Sequence, residues 1–289
     1  MKVFHPCVLA IGMAAFTLAA CQQQPDTNAN PPPSVSSAAP VIAPPSTAAP
    51  APASTAPVPS DHATTKHYKI AIDMPQLSPA AKPLAEALRT TADNAKRDFI
   101  QALPDPQSVP EMADRQFDLL IDFKLAAQTP AFTSVRETGS SDTGGAHPIP
   151  VQASFVLDRK AGKLIALDDL FANPDAARKA LANFAHDALL KKMMANAPKP
   201  GEGTPEALRA WKVNMLQMLD DGTKPTSVNY SVFVVRAGAS ADAPSPGLTL
   251  VFPPYQVAPY VYGTQTVDVP ASVFAKYLKP AYANDFAAR

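Results

Sequence analysis

The chain has 289 residues, 33 of them proline, and its 25 basic and 25 acidic residues cancel to no formal net charge. That balance excludes a basic nucleic-acid-binding domain and offers no electrostatic membrane patch. Two cysteines are too few for a disulfide framework.

Residues 1–20 read as a secretory signal peptide. Lys2 gives a positive start, and Val8 to Leu18 form an apolar core too short to span a bilayer as a mature helix. Leu18-Ala19-Ala20-Cys21 has the form of a bacterial lipobox, so Cys21 is the expected lipidation site. Acylated there, the chain is expected to be held by the lipid bilayer, since each buried methylene contributes ~0.8 kcal/mol and two or three chains anchor stably. Gln22, where an Asp would retain the protein at the inner membrane, points to an outer-membrane lipoprotein with its folded domain in the periplasm. Residues 1–20 contain Lys2 and no acid, so the mature chain keeps 24 basic against 25 acidic residues. Cys7 leaves with the signal, which leaves the folded part without thiol chemistry.

From residue 21 to 65 the expectation is a disordered tether. Eleven prolines fall among residues 22–65, with Ala, Ser and Thr and no aromatic ring. Such a segment lacks the apolar groups to offset its ordering entropy and favours polyproline II. Fully extended at ~3.1 Å per residue, it reaches on the order of 140 Å. Residues 66–289 are expected to fold as one domain, with lobes at 66–140 and 141–289 as the alternative.

Along that domain, residues 67–73 alternate as a strand. Ser78-Pro79 then resembles a helix cap, and Leu84, Leu88, Ala92, Ala95, Phe99 and Leu103 form an apolar helical stripe stopped by Pro104. Phe117, Leu119, Ile121, Phe123 and Leu125 give the cleanest period-two pattern, a strand with one buried and one wet face. Residues 129–138 are its expected partner. Gly144-Gly145-Ala146-His147-Pro148 is a turn before the hairpin 149–157 and 163–167, whose loop contains Gly162. Asn173-Pro174 and Thr204-Pro205 each place a capping residue before proline and open two further helices. A strand at 228–236, strands at 248–252 and 266–269, and a short helix from Pro270 to Leu278 complete the chain. Strands and helices mix without regular βαβ alternation. The expected class is therefore α+β, an antiparallel sheet with amphipathic helices packed on one face.

His147, on a glycine-rich turn, is the candidate binding residue in the first half, with a backbone-fixing role as the plain alternative. Tyr255, Tyr260 and Tyr262, with Phe252, are dense for a chain with 7% aromatics. Rigid amphipathic rings beside prolines stack on sugars or anchor a protein, and otherwise close a core. Trp211 lies on an apolar stripe and reads as core. Asp168-Asp169 reads as first-turn charge ahead of a helix. A glycosidase needs two carboxylates flanking a cleft; Asp122, Glu137, Asp142 and Asp158 are available but sit in no recognisable motif. His62, His67, His147 and His186 lack metal-ligand spacing, and no cofactor fingerprint is present. No catalytic residue, metal or cofactor is assigned.

One ordered set of motifs carries a resemblance. It comprises Tyr68 to Leu77, Gly144 to Pro148, Leu157-Asp158 with Gly162-Lys163-Leu164-Ile165 and Leu167 to Phe171, and Gly247 to Tyr260 with Gly263 and Pro270. Over roughly residues 66–280 this resembles the RsiV/PdaC-type extracytoplasmic domain family, found in an anti-sigma factor and beside the catalytic domain of a peptidoglycan deacetylase. The resemblance implies an α+β envelope domain whose best understood role is lysozyme binding. The chain is read as lacking the sigma-binding segment, the transmembrane helix and the deacetylase domain, so neither of those activities is implied. The leading expectation is a non-catalytic binding module for a lysozyme-like muramidase or for peptidoglycan. The alternatives are a peptidoglycan-acting enzyme and a structural lipoprotein without a specific ligand.

Overall fold

Helix α1 (Lys82–Ala102) separates two strands that then lie side by side, and this crossover shapes the larger of two sheets. The structure is a computed structural model and describes residues 59–105, 114–199 and 201–287, all within one unit, Pro50–Arg289. The signal peptide, Cys21 and the tether to residue 58 lie outside the described residues.

The larger sheet has six strands in chain order: β1 (Asp61–Thr64), β2 (Tyr68–Asp73), β3 (Phe117–Gln128), β4 (Phe132–Asp142), β5 (Ile149–Asp158) and β6 (Lys163–Ile165). β1 begins inside the segment read as tether. The Thr65 hydroxyl accepts from the amides of His67 and Tyr68 at 3.1 and 3.0 Å, which closes a tight turn onto β2. All neighbours are antiparallel except β2 and β3. A parallel pair needs a crossover, and α1 supplies it. The sheet runs continuously through position 140, because β4 pairs with β5 along its length.

Phe117, Leu119, Ile121 and Phe123 of β3 bury one face against Leu84, Leu88, Ala92 and Phe99 of α1. Each such burial contributes roughly 1.5–3 kcal/mol. Leu125, expected in that stripe, is instead exposed. The register holds through Leu125, opposite Val135, and slips before Ala127, which pairs with Ser134 and is buried on the opposite face. A bulge shifts the phase of every later side chain.

The other face of the six-stranded sheet is only partly wet. A second sheet of β7 (Phe233–Val235), β8 (Gly247–Phe252) and β9 (Gln265–Pro270) meets it and shares a core with α2 (Pro174–Ala195) and α3 (Pro205–Gly222). The two helices start as their sequence suggests. Asn173 Oδ1 accepts from the Ala176 amide at 3.1 Å and Thr204 Oγ1 from the Ala207 amide at 3.2 Å. β7 pairs only with β8, so its outer edge carries unpaired amides into a buried contact. The larger sheet supplies the partners: Ser154 Oγ accepts from the Phe233 amide at 2.8 Å and Ser134 Oγ from the Val235 amide at 3.2 Å.

Two expectations change. The strand read over 228–236 is regular only at 233–235. Residues 227–230 form a turn, in which Tyr230 donates its hydroxyl to the Thr223 carbonyl at 2.8 Å. The expected C-terminal helix is a run of 3₁₀ turns at Ala271–Val273, Ala275–Tyr277 and Pro280–Tyr282. Leu278 leaves the helical region to bridge Phe171, and Pro280 disfavours helix in the residue before it. The α+β class stands. No helix among the described residues is long and apolar enough to cross a membrane.

Replacing Ser154 by Ala strands a buried amide on β7. We expect a loss of about 1–3 kcal/mol, read as a lower denaturant midpoint with an unchanged m-value.

Candidate functional site

Three of the four expected binding residues meet. The β4–β5 turn carries His147, and the loop after β8 carries Tyr255 and Tyr260. His147 Nδ1 lies 3.0 Å from the Pro148 carbonyl, which can only accept, so Nδ1 donates there and Nε2 shares a hydrogen bond with the Tyr255 hydroxyl at 2.9 Å. The His147 ring stacks on Tyr260 with centroids 4.5 Å apart and planes at 20°. Tyr255 and Tyr260 complete the triangle at 5.5 Å.

Both loops are held from behind. The Asp142 carboxylate accepts from the Gly144 amide at 2.9 Å and from Arg115 at 2.7 Å. Burial works to raise the Asp142 pKa, but the Gly144 amide and the Arg115 guanidinium more than offset it and hold the carboxyl below its ordinary value. On the other loop, Gln256 Nε2 donates to the carbonyls of Gly222 and Asn229, both at 2.9 Å. Gly222 must lack a side chain there, because a Cβ would stand 2.0 Å from the Gln256 carbonyl oxygen.

Tyr255 is the anomaly. The Gln256 amide donates to the Pro253 carbonyl at 3.1 Å, closing a turn with Pro254 and Tyr255 at its centre. Tyr255 has φ of 71°, the only positive φ outside glycine among the described residues. Its place is the third position of a type II turn, which ordinarily takes glycine. A side chain there costs roughly 1–2 kcal/mol. Nor does burial compensate, since the residue is 52% exposed. Strain of this kind, held by its surroundings, marks functional positions.

Exposed apolar residues that the sequence did not single out stand beside these residues or their supports in the chain. Ile149 follows His147 on the hairpin, and Val261, 85% exposed, crowns the turn between Tyr260 and Tyr262. Val228, also exposed, stands next to the Asn229 that Gln256 holds. The available signal for Tyr255 was Pro253-Pro254-Tyr255-Gln256, a turn sequence without glycine at its third position.

Tyr262 does not join them. Its ring packs partly buried against the core, and its hydroxyl accepts from Trp211 Nε1 at 3.0 Å. Trp211 is itself only partly buried. Asp168 pairs with Arg178, and Asp169 Oδ2 accepts from the Ala166 amide at 2.9 Å, so both serve the turn before α2.

The four carboxylates considered for catalysis are dispersed. Asp142 lies at the His147 end of the sheet. Asp158 lies at the far end of β5, buried and bonded to the amides of Lys160 and Ala161 and the Tyr282 hydroxyl. Nine residues of strand put roughly 30 Å between those ends. Asp122 sits opposite Thr138, on the face away from Glu137, which sits opposite Phe123. Among the described residues no group of three or more His, Cys, Asp or Glu could hold a metal ion.

Comparison with known proteins covers part of this architecture. Residues 168–272 match the family described as "Protein of unknown function (DUF3298)". The matched span contains Tyr255, Tyr260 and Tyr262, while His147 and the six-stranded sheet precede it. The chain is similar to a crystal structure of a DUF3298 family protein from Pseudomonas aeruginosa PAO1, at 15% identity and a TM-score of 0.47, over 81% of this chain and 99% of that one. It is also similar to a member of the same family from Bacteroides fragilis NCTC 9343, at 15% identity and a TM-score of 0.49, over 78% of this chain and 94% of that one. No curated protein matches.

Glu137 generates a separate expectation. It is 2% exposed beneath α1, and burial raises its carboxyl to about 7 from an ordinary 4.5. The folded state therefore holds a proton that the unfolded state has released, so folding takes up a proton between those values. Stability from this group is full below the unfolded pKa and is lost as pH rises through the folded one. Denaturation at pH 5 and pH 8 should differ by about 2.5 kcal/mol in favour of pH 5, and Glu137→Gln should remove that part of the difference.

Proposed function

We propose that the chain is an outer-membrane lipoprotein, anchored through acylated Cys21, that presents a non-catalytic binding domain in the periplasm. The His147–Tyr255–Tyr260 patch is its docking surface. The observation that carries this reading is Tyr255, a strained, half-exposed ring where glycine would fold more easily. Two tyrosines and an imidazole with aliphatic flanks have the composition of a protein-binding hot spot. Because the rings are already ordered by one another, little side-chain entropy is lost on binding.

The partner is a lysozyme-like muramidase, in line with the RsiV/PdaC-type resemblance of the motifs that bracket both loops. The outcome for the cell is protection if the enzyme is blocked and sensing if it is only captured. A second reading, peptidoglycan itself, is favoured by the exposure of Tyr255 and Tyr260, since aromatic rings suit stacking on sugars. The dispersal of Asp122, Glu137, Asp142 and Asp158 supports binding over glycoside hydrolysis, which needs two facing carboxylates.

Lysozyme titrated into the purified protein should give a saturable isotherm, with the lytic rate followed alongside. Tyr255→Gly should weaken binding at least about tenfold while leaving the melting temperature equal or higher, because it relieves the turn. Unchanged binding by this variant would remove the patch from the reading. Absence of binding up to ~100 μM would turn attention to peptidoglycan fragments.

A further inference from the structure

At the other end of the six-stranded sheet, the segment leading into α1 meets the β5–β6 turn around a cavity of ≈ 190 Å³. Its walls include Ser78, Ala81, Thr133, Leu157, Arg159 and Lys160. The polar groups among them have little to do with one another. Thr133 is 4% exposed, yet its hydroxyl makes no hydrogen bond to another described residue. Ser78 precedes the first helical turn without capping it through its side chain. Arg159 donates from Nη1 to the carbonyls of Thr129 and Pro130 at 2.7 and 3.3 Å, which leaves the Nε–Nη2 edge of its fork unengaged among the described residues. Lys160 is largely neutralised by Asp285, at 2.7 and 2.9 Å, so the uncompensated charge at the cavity is that of Arg159.

We propose that this cavity is a binding site for a compact oxyanion: a phosphate, a sulfate or the carboxylate end of a small molecule. A planar guanidinium edge matches two oxygens of such a group. The Thr133 and Ser78 hydroxyls donate to the remaining oxygens. Leu157 and Ala81 form an apolar floor that limits size. At ~30 Å³ per water the cavity holds about six water volumes, which suits an oxyanion with its residual hydration and excludes a disaccharide. The site is independent of the aromatic patch and of what docks there.

Isothermal titration of the full protein, purified in detergent, with inorganic phosphate, sulfate and acetate tests this at constant ionic strength against chloride. Saturable binding of at least one of the three is expected. Thr133→Val, which removes the hydroxyl and keeps the shape, and Arg159→Gln should each weaken it at least about tenfold. Arg159 also holds two loop carbonyls, so Thr133→Val carries the test if Arg159→Gln unfolds. Binding of phosphate and sulfate assigns a tetrahedral ligand, and binding of acetate alone assigns a carboxylate. Absence of saturable heat up to ~50 mM for all three overturns the proposal, as does binding that Thr133→Val leaves unchanged.

Discussion

The structure turns on how a three-residue strand satisfies an edge it cannot pair. β7 has β8 on one side and the face of the larger sheet on the other, so the amides of Phe233 and Val235 point into protein. An unpaired buried amide costs about 1–3 kcal/mol. Two of them would be a large fraction of the stability of a domain this size. The serine hydroxyls of β4 and β5 take those amides without adding a strand. They also fix where the second sheet stands on the first. Phe132 and Val156 of the larger sheet can then share a core with Leu248, Leu250 and Phe252 of β8. The contact is polar at its edge and apolar beneath, so sliding would unpair the amides and open the core together.

That placement is what brings the two loops of the patch within reach. His147 and Tyr255 are 108 residues apart, on connections belonging to different sheets. Neither loop is long, and each is tied to its own scaffold, through Asp142 on one side and Gln256 on the other. The hydrogen bond between the rings therefore closes a bridge whose piers are already set. It adds the net worth of one ordinary hydrogen bond, about 1 kcal/mol. The φ of Tyr255 costs about as much or more. On these magnitudes the bridge does not earn its place by stabilising the fold, which is the physical ground for reading it as functional.

Much of the scaffold is legible because it rests on local chemistry. Asn173-Pro174 and Thr204-Pro205 start their helices by side-chain capping and a preset φ, and nothing distant is required. Phe117 to Phe123 alternate because one face meets α1. Legibility ends where a distant partner decides. Leu125 obeys the alternation and keeps its register opposite Val135, yet it lies exposed, and the bulge that follows moves Ala127 to the other face. The parallel pairing of β2 with β3 follows from where α1 lands. Tyr262 differs from Tyr260 by two residues, yet a 3₁₀ turn sends it toward Trp211 instead of His147, and composition is blind to that. His147, Tyr255 and Tyr260 were identifiable as rings beside turns; their meeting was not, because it depends on the docking of β7.

The charged residues follow the same logic of position over composition. The eleven residues of β4 carry Glu137, with its pKa raised by burial, and Asp142, with its pKa lowered by an amide and a guanidinium despite burial. Two carboxyls on one strand are thus pushed in opposite directions by where the strand's faces and ends lie. Such divergence often signals paired acid and base roles, but that inference requires the two groups to share a cavity. Here Glu137 lies under α1, and Asp142 is spent on holding the His147 turn. Asp142 therefore serves the patch through Gly144, and Glu137 makes the α1 face of the same strand sensitive to pH. The strand that leads into the His147 turn is also the one that carries Glu137, whose carboxyl pKa is raised by burial.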